Sequence, residues 1–249
     1  MKPYYEHAGI TIYHGDCREI LPQIGKVDCV ITSPPYNMRT RIRNGKYVER
    51  EQASHFSKKY SDYSDAMPIA EYFEFQSDVL SKCLQCSPLL FFNIQIVTGC
   101  KEAWFKLIGK YAEHIKDVVV WDKGSGQPAM HESVINRSYE LILVFETPPA
   151  AGRAFAKSYF KRGDMQDVWR LGRGGKGKYK SHTATFPISI PSQIITGWTV
   201  PEDLVLDCHA GTGTTLVAAK ELRRKAIGIE IEEKYCEIAA KRLAQEVLF

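Results

Sequence analysis

"LVLDCHAGTGTTLVAAKELRRKAIGIE", Leu204 to Glu230, places a glycine turn and a helical stretch between two apolar runs. Leu204-Val205-Leu206 reads as a strand ending in Asp207, Leu216 to Arg224 as a helix, and Ala226 to Ile229 as a second strand ending in Glu230. Strand, helix and strand at this spacing form a βαβ unit, whose two strands lie parallel in one sheet. Ligands of such sheets bind at the carboxyl ends of the strands, where glycines let the backbone approach closely. Gly211 and Gly213 hold that position. Glu230 ends the next strand, close to the ~20-residue spacing at which such folds set a carboxylate on a ribose hydroxyl. A nucleoside cofactor follows from that pairing.

The turn has no third glycine in the dinucleotide-binding register and no GKS or GKT of a phosphate loop, so a pyrophosphate is not the expected guest. Asp207 would repel phosphate and suit a cationic group such as the ammonium or sulfonium of S-adenosylmethionine. Its other reading is that it ties its own turn by local hydrogen bonds.

Working outward, Glu232 to Val247 carries Tyr235, Ile238, Ala239, Leu243 and Val247 on one helical face. Towards the N-terminus the pattern gives a strand over Ile10–Tyr13, a short helix over Cys17–Gln23 and a strand over Val27–Ile31. A helix over Ile69–Gln85, a strand over Leu89–Ile94 and a helix over Lys101–Tyr111 follow, then strands over Lys116–Trp121 and Glu140–Phe145. Short apolar strands between helices indicate an α/β sheet covered on both faces. The chain reads as a single domain, 1–249, with a mobile basic loop over 38–63 suited to a substrate lid. A glycine-basic segment, 150–180, has no clear period and is taken as inserted or peripheral.

At 249 residues, 44% hydrophobic and 25% charged, the chain can bury a substantial core. It contains no apolar run approaching the ~20 residues that cross a bilayer, and its first residues lack the core of a secretion signal, so a cytoplasmic location is expected. Seven scattered cysteines read as reduced thiols. Cys83 and Cys86 have CxxC spacing but no second pair, so no metal is expected. The net charge of +4 is unevenly spread. Two basic tracts, Arg39 to Lys59 and Arg153 to Lys180, are interleaved with aromatic residues, which suits either solvated loops or a nucleic-acid surface.

"VITSPPYN", Val30 to Asn37, ends a buried strand in two prolines. Prolines fix their own dihedrals and donate no hydrogen bond, so the turn is rigid and its carbonyls can face a ligand.

Together with "LVLDCHAGTGTTLVAAKELRRKAIGIEIEEKYCEIAAKRL", this stretch resembles the DNA amino-methyltransferases that act on cytosine N4 or adenine N6. The catalytic motif comes first and the cofactor motif last, as in the beta group of that family. "HGDC" (14–17), "VVVWDKGSG" (118–126), "RSYELILVF" (137–145) and "SHTATFPISIPSQII" (181–195) match in the same order. The resemblance implies a circularly permuted Rossmann-like methyltransferase sheet, mostly parallel, with helices on both faces and a target-recognition segment over 150–180. It implies S-adenosylmethionine as cofactor and double-stranded DNA as substrate, with the target base rotated out of the duplex. A homodimer and a cognate restriction enzyme are both compatible with it.

By the same resemblance, Ser33, Pro34, Pro35 and Tyr36 are the catalytic turn. The Ser33 hydroxyl and Pro34 carbonyl would accept the base's amino hydrogens, and Tyr36 would stack on the base. Asp16, Phe186, Asp207, Gly211, Thr212, Gly213, Thr214 and Glu230 would surround the cofactor. Arg39, Arg41, Arg43, Arg170, Arg173, Lys176 and Lys178 are the candidate DNA contacts. Serine before the prolines resembles the cytosine-N4 members, with adenine N6 as the alternative. Cys208 and His209 stand where the family commonly has Pro and Phe, and Thr183 where a proline usually follows the histidine. Rival readings are an RNA or protein-glutamine methyltransferase, disfavoured by the order of the two turns, and a nicotinamide-dependent dehydrogenase, disfavoured by the missing third glycine. A catalytically silent DNA-binding protein of the same fold is a third.

Overall fold

A computed structural model describes residues 1–37, 42–43, 46–47, 67–124, 132–149, 152–172 and 186–244. Its centre is a nine-stranded sheet built from β1 (Tyr5–His7), β2 (Ile10–His14), β3 (Cys29–Thr32), β6 (Leu89–Ile94), β7 (Ile115–Asp122), β8 (Tyr139–Glu146), β9 (Val168–Arg170), β10 (Leu204–Asp207) and β11 (Lys225–Glu230). Two short strands, β4 (Ile42–Arg43) and β5 (Lys46–Tyr47), pair with each other in a second sheet. The helices are α1 (Cys17–Ile20), α2 (Ile69–Cys86), α3 (Lys101–Lys110), α4 (Ser189–Trp198), α5 (Thr214–Glu221) and α6 (Glu233–Ala244).

The sheet order is β1-β2-β11-β10-β3-β6-β8-β7-β9. The last two strands in sequence are therefore inserted between β2 and β3, two of the first, which is the permuted arrangement expected from the order of the motifs. β1 and β8 run antiparallel to their neighbours and the other strands share one direction.

Side chains on successive strand residues point to opposite faces. On β6, Leu89 and Phe91 enter the cluster under α4, α5 and α6, while Leu90, Phe92 and Ile94 enter the cluster under α2 and α3. Each such side chain contributes roughly 1.5–3 kcal/mol on burial, and both faces of the sheet are covered as the apolar strands predict.

The expected elements form, with shifts at their ends. The helix expected over Cys17–Gln23 gives way to a 3-10 turn at Leu21, because Pro22 cannot donate the next helical bond. Among strands and α-helices, five were not foreseen: β1, β4, β5, β9 and α4. The segment α4 begins "SIPSQ" and is rich in β-branched residues, so its helix was masked, although a proline is tolerated in a first turn.

The described part of the glycine-basic segment, 152–172, is not detached from the core. β9 pairs with β7, Phe155 and Phe160 pack edge-on against Trp198 with centroids 5.3 and 4.9 Å away, and the Tyr159 amide donates to the Gly197 carbonyl at 2.8 Å. Lys157, one of its basic residues, pairs with Asp203 at 2.9 Å. The loop 38–63 lies outside the described residues apart from the β4–β5 backbone. The residues that flank it are tied together: Asn37 Nδ2 donates to the Met67 carbonyl at 2.7 Å and Asn37 Oδ1 accepts from the Met67 backbone amide at 2.9 Å. Among the described residues no helix is long and apolar enough to cross a membrane.

Candidate active site

The carboxyl ends of β2, β11, β10, β3 and β6 lie along one edge of the sheet, with Glu230 in register with His14 and Leu206 with Val30. Asp16, Glu230, Asp207, the turn after Thr32 and Asn93 are thereby gathered on that edge, although they span the whole chain.

Asp207 is 2% exposed. Its Oδ1 accepts from Thr32 Oγ1 at 2.9 Å and from the His209 amide at 3.1 Å, and its Oδ2 accepts from Thr215 Oγ1 at 2.6 Å. Burial raises its pKa, against the pull of those hydrogen bonds. The carboxylate ties its own turn, one of its two expected roles, and Oδ2, with a single bond, keeps a lone pair.

Gly211 and Gly213 are in the left-handed region, at φ 52° and 79°. At Gly213 a Cβ would sit 2.9 Å from the Cβ of Ala239, so the absence of a side chain is what lets α6 close on the turn. Arg242 of α6 completes the joint, donating to the Thr212 carbonyl at 2.6 Å and to the hydroxyls of Thr212 and Thr214 at 3.1 and 3.4 Å. Those two threonines therefore hold the turn from behind. Glu230 accepts from the Gly211 amide at 2.7 Å through Oε2 and from the Glu232 amide at 2.9 Å through Oε1. Burial raises its pKa despite those bonds. Each oxygen keeps a lone pair, so the group can still accept from a pair of ribose hydroxyls.

Asp16 caps α1 and is clamped by Arg18, whose amide donates at 2.8 Å and whose Nη2 donates at 2.5 Å. Burial works against its ionisation, but the Arg18 bonds prevail and lower its pKa. Phe186 is half-buried against the cluster beneath α4 to α6.

The turn Ser33–Tyr36 adjoins a buried polar network that the sequence did not disclose as a site. Ser33 Oγ lies 3.2 Å from Tyr36 Oη, which donates to Glu140 Oε2 at 2.9 Å. Asn93 Nδ2 donates to Ser33 Oγ at 3.3 Å, to Tyr36 Oη at 3.0 Å and to Glu140 Oε2 at 2.7 Å. Lys123 Nζ pairs with Glu140 Oε1 at 2.5 Å, both side chains being about one-tenth exposed. Burial, followed by the charge of Glu140, pushes the Tyr36 hydroxyl well above the ordinary tyrosine pKa, so it stays a donor. Tyr72 Oη donates to the Pro35 carbonyl at 2.9 Å, and none of these bonds uses the carbonyl of Pro34. The available signals were Asn93 within the apolar strand "LLFFNI", and Lys123 and Glu140 within two of the quoted motifs.

Behind the two turns sit His209 and several thiols. His209 Nδ1 lies 3.1 Å from Thr32 Oγ1 and 3.4 Å from Cys208 Sγ, and Cys83 Sγ lies 3.8 Å from Cys208 Sγ. All seven cysteines are free and buried. Among the described residues no group of three or more His, Cys, Asp or Glu is arranged to hold a metal ion.

Of the candidate DNA contacts, Arg170 is exposed at the end of β9, in register with Asp122 at the end of β7, on the catalytic edge. Arg43 lies in β4, of which only the backbone is described. Arg39, Arg41, Arg173, Lys176 and Lys178 lie outside the described residues.

The fold is similar to that of the PvuII DNA methyltransferase (cytosine-N4-specific), with a TM-score of 0.75 at 18% identity, covering 100% of this chain and 91% of that one. It is also similar to the complex of M1.HpyAVI with SAM, with a TM-score of 0.62 at 22% identity, covering 95% and 100%. Among curated relatives, the type II methyltransferase M.ScaI of Streptomyces caespitosus is 25% identical over 98% of this chain and 84% of its own. M.HinfI of Haemophilus influenzae is 29% identical over 94% and 68%. Residues 27–241, which contain both turns and the network between them, match the model of the DNA methylase family with N6 and N4 members, and this chain belongs to that family.

Proposed function

We propose that the protein transfers a methyl group from S-adenosylmethionine to the N4 amino group of cytosine at a specific site in double-stranded DNA, as the modifying half of a restriction-modification pair. The observation that carries the cytosine reading is the serine at position 33: a neutral hydroxyl, not a carboxylate, precedes Pro34 in the turn that follows β3. The name of the PvuII enzyme gives that protein the same specificity.

The residues fit the cofactor. A left-handed glycine turn offers close backbone approach, and Glu230 at the next strand end is a buried acceptor for ribose hydroxyls. When bound, S-adenosylmethionine supplies an electrophilic methyl group on a sulfonium. The chain's task is to reshape an amino group whose lone pair is delocalised into the base. Ser33 Oγ and the Pro34 carbonyl accept its two hydrogens and draw the nitrogen towards a tetrahedral geometry aligned with the methyl. Tyr36 offers its ring to the base while its hydroxyl is anchored on Glu140 and Asn93. The base reaches this edge only after leaving the duplex, at a cost of a few kcal/mol. The segment 150–180 is proposed as the target-recognition element, with Arg170 as its described contact at the edge.

The test is to incubate the protein with S-adenosylmethionine and unmethylated DNA, digest to nucleosides and identify the product by mass spectrometry. N4-methylcytosine is expected. N6-methyladenine would keep the mechanism and reverse the base, and no methylated nucleoside from folded, cofactor-binding protein would overturn the DNA reading.

A further inference from the structure

We infer that the buried pair Glu140–Lys123 fixes the direction of the hydrogen bonds running out through Tyr36 to Ser33, making Ser33 an obligate acceptor towards the base, and takes up the proton that the methylated nitrogen sheds. The inference rests on the proposed transfer to an exocyclic amino group and names the residues that select that group.

Glu140 is ion-paired with Lys123 at 2.5 Å, and a carboxylate can only accept. Tyr36 therefore spends its one hydroxyl hydrogen on Glu140. The bond between Tyr36 and Ser33 must then run from the Ser33 hydroxyl to Tyr36 Oη, since Tyr36 has no second hydrogen to give. Asn93 Nδ2 shares its two hydrogens among the same three oxygens, at 2.7 to 3.3 Å, and reinforces that order. What Ser33 has left for a ligand is a lone pair. Asn93 Oδ1 is a buried acceptor with no partner among the described residues, beside the same turn. Ser33 thus presents an acceptor to the guest: it welcomes an amino group and opposes a carbonyl in the same place, because two acceptors would be desolvated against each other.

The same chain carries a proton. After the nitrogen–methyl bond forms and the sulfonium–methyl bond breaks, the nitrogen bears an extra hydrogen and a positive charge. It passes that hydrogen to Ser33 Oγ as the Ser33 hydroxyl hydrogen passes to Tyr36 Oη and the Tyr36 hydrogen passes to Glu140 Oε2. The base returns to neutrality and Glu140 becomes a neutral acid. Lys123, with one-tenth of its side chain exposed, marks the way out to water.

Glu140 acts through Tyr36 and Ser33 and is a positioning residue, so its test needs a readout that loss of structure would not move. The measurement is single-turnover methylation of the duplex the parent modifies, with binding of that duplex and of one carrying the oxo analogue of the target base, and cofactor titration as the control for folding. Glu140→Gln is expected to slow transfer about 100-fold or more, in the range of positioned acid–base groups, with cofactor affinity unchanged and the preference for the amino over the oxo base reduced at least about tenfold. Parent-like rate and preference in Glu140→Gln would overturn the inference. Should Glu140→Gln lose cofactor binding through misfolding, Tyr36→Phe interrupts the same chain from the turn and must show the same loss of preference, and a parent-like preference there would overturn it equally. Absence of methylation by the parent would instead count against the proposed function.

Discussion

Thr32 and Asp207 stand 175 residues apart in the chain and share a 2.9 Å hydrogen bond at the ends of adjacent parallel strands. This bond joins the turn proposed to hold the base to the turn proposed to hold the cofactor. The rigid prolines on one side and the left-handed glycines on the other are thus referred to a single point.

Thr32→Val keeps the shape and deletes the donor, leaving Asp207 Oδ1 with only the His209 amide. Leaving a buried acceptor short of a partner costs about 1–3 kcal/mol. Denaturant unfolding of the variant should show a loss of that size, together with weaker binding of S-adenosylmethionine. Unfolding free energy and cofactor affinity equal to the parent's would mean that the two turns are not coupled through this bond.

Gly213→Ala places a methyl group 2.9 Å from the Ala239 Cβ at a residue with φ 79°. The left-handed backbone alone costs about 1–2 kcal/mol for a residue with a Cβ, and the contact forces α6 outward. Because Arg242 holds Thr212 and Thr214 from α6, the cofactor turn should shift with the helix. Calorimetry should show weaker cofactor binding than the parent. Undiminished affinity would show that α6 does not set the turn.

Much of this edge was legible beforehand because it depends on local chemistry. The strand–glycine–helix pattern at Leu204–Glu230 and the rigid "SPPY" turn are written in neighbouring residues, and the permuted order of the strands follows from the order of the motifs. What was not legible depends on contacts across the sheet. Nothing local to Glu140 says that its carboxylate meets Tyr36, in the turn after β3 and more than 100 residues earlier, although the antiparallel course of β8 brings its first residues to that edge. The Thr32 bond to Asp207 was likewise hidden: of the three donors on that carboxylate, only His209 and Thr215 are near in sequence. In segment 150–180, taken as inserted or peripheral, the aperiodic sequence carries no sign that Phe155 and Phe160 pack on Trp198.

His209 should leave a signature in the pH dependence of stability. Burial lowers its pKa, but Cys208 and then Asp207 and Glu230 outweigh that and raise it above the ordinary value of 6.5. A raised folded-state pKa means that the folded state binds the proton more tightly than the unfolded one. The stabilisation is fully present below about pH 6.5 and is lost as pH rises through the raised folded value. The stability difference between the parent and His209→Asn, measured by denaturant unfolding across pH 5.5 to 9, should therefore shrink with rising pH. A difference that grows with pH would contradict the sign.

Arg170 tests the DNA-facing edge. It is exposed at the end of β9, in register with Asp122 at the end of β7, and the buried Trp169 next to it fixes its strand. An arginine that neutralises one phosphate contributes about one counterion to the salt dependence of binding. Arg170→Ala should weaken duplex binding across sequences and lower the slope of log affinity against log salt by about 0.9, while leaving cofactor binding and thermal stability unchanged. If binding of unrelated sequences is unaltered and only the chosen target is lost, Arg170 reads a base edge, because a phosphate contact carries no sequence information. An unchanged slope with unchanged affinity for every duplex would remove β9 from the DNA interface.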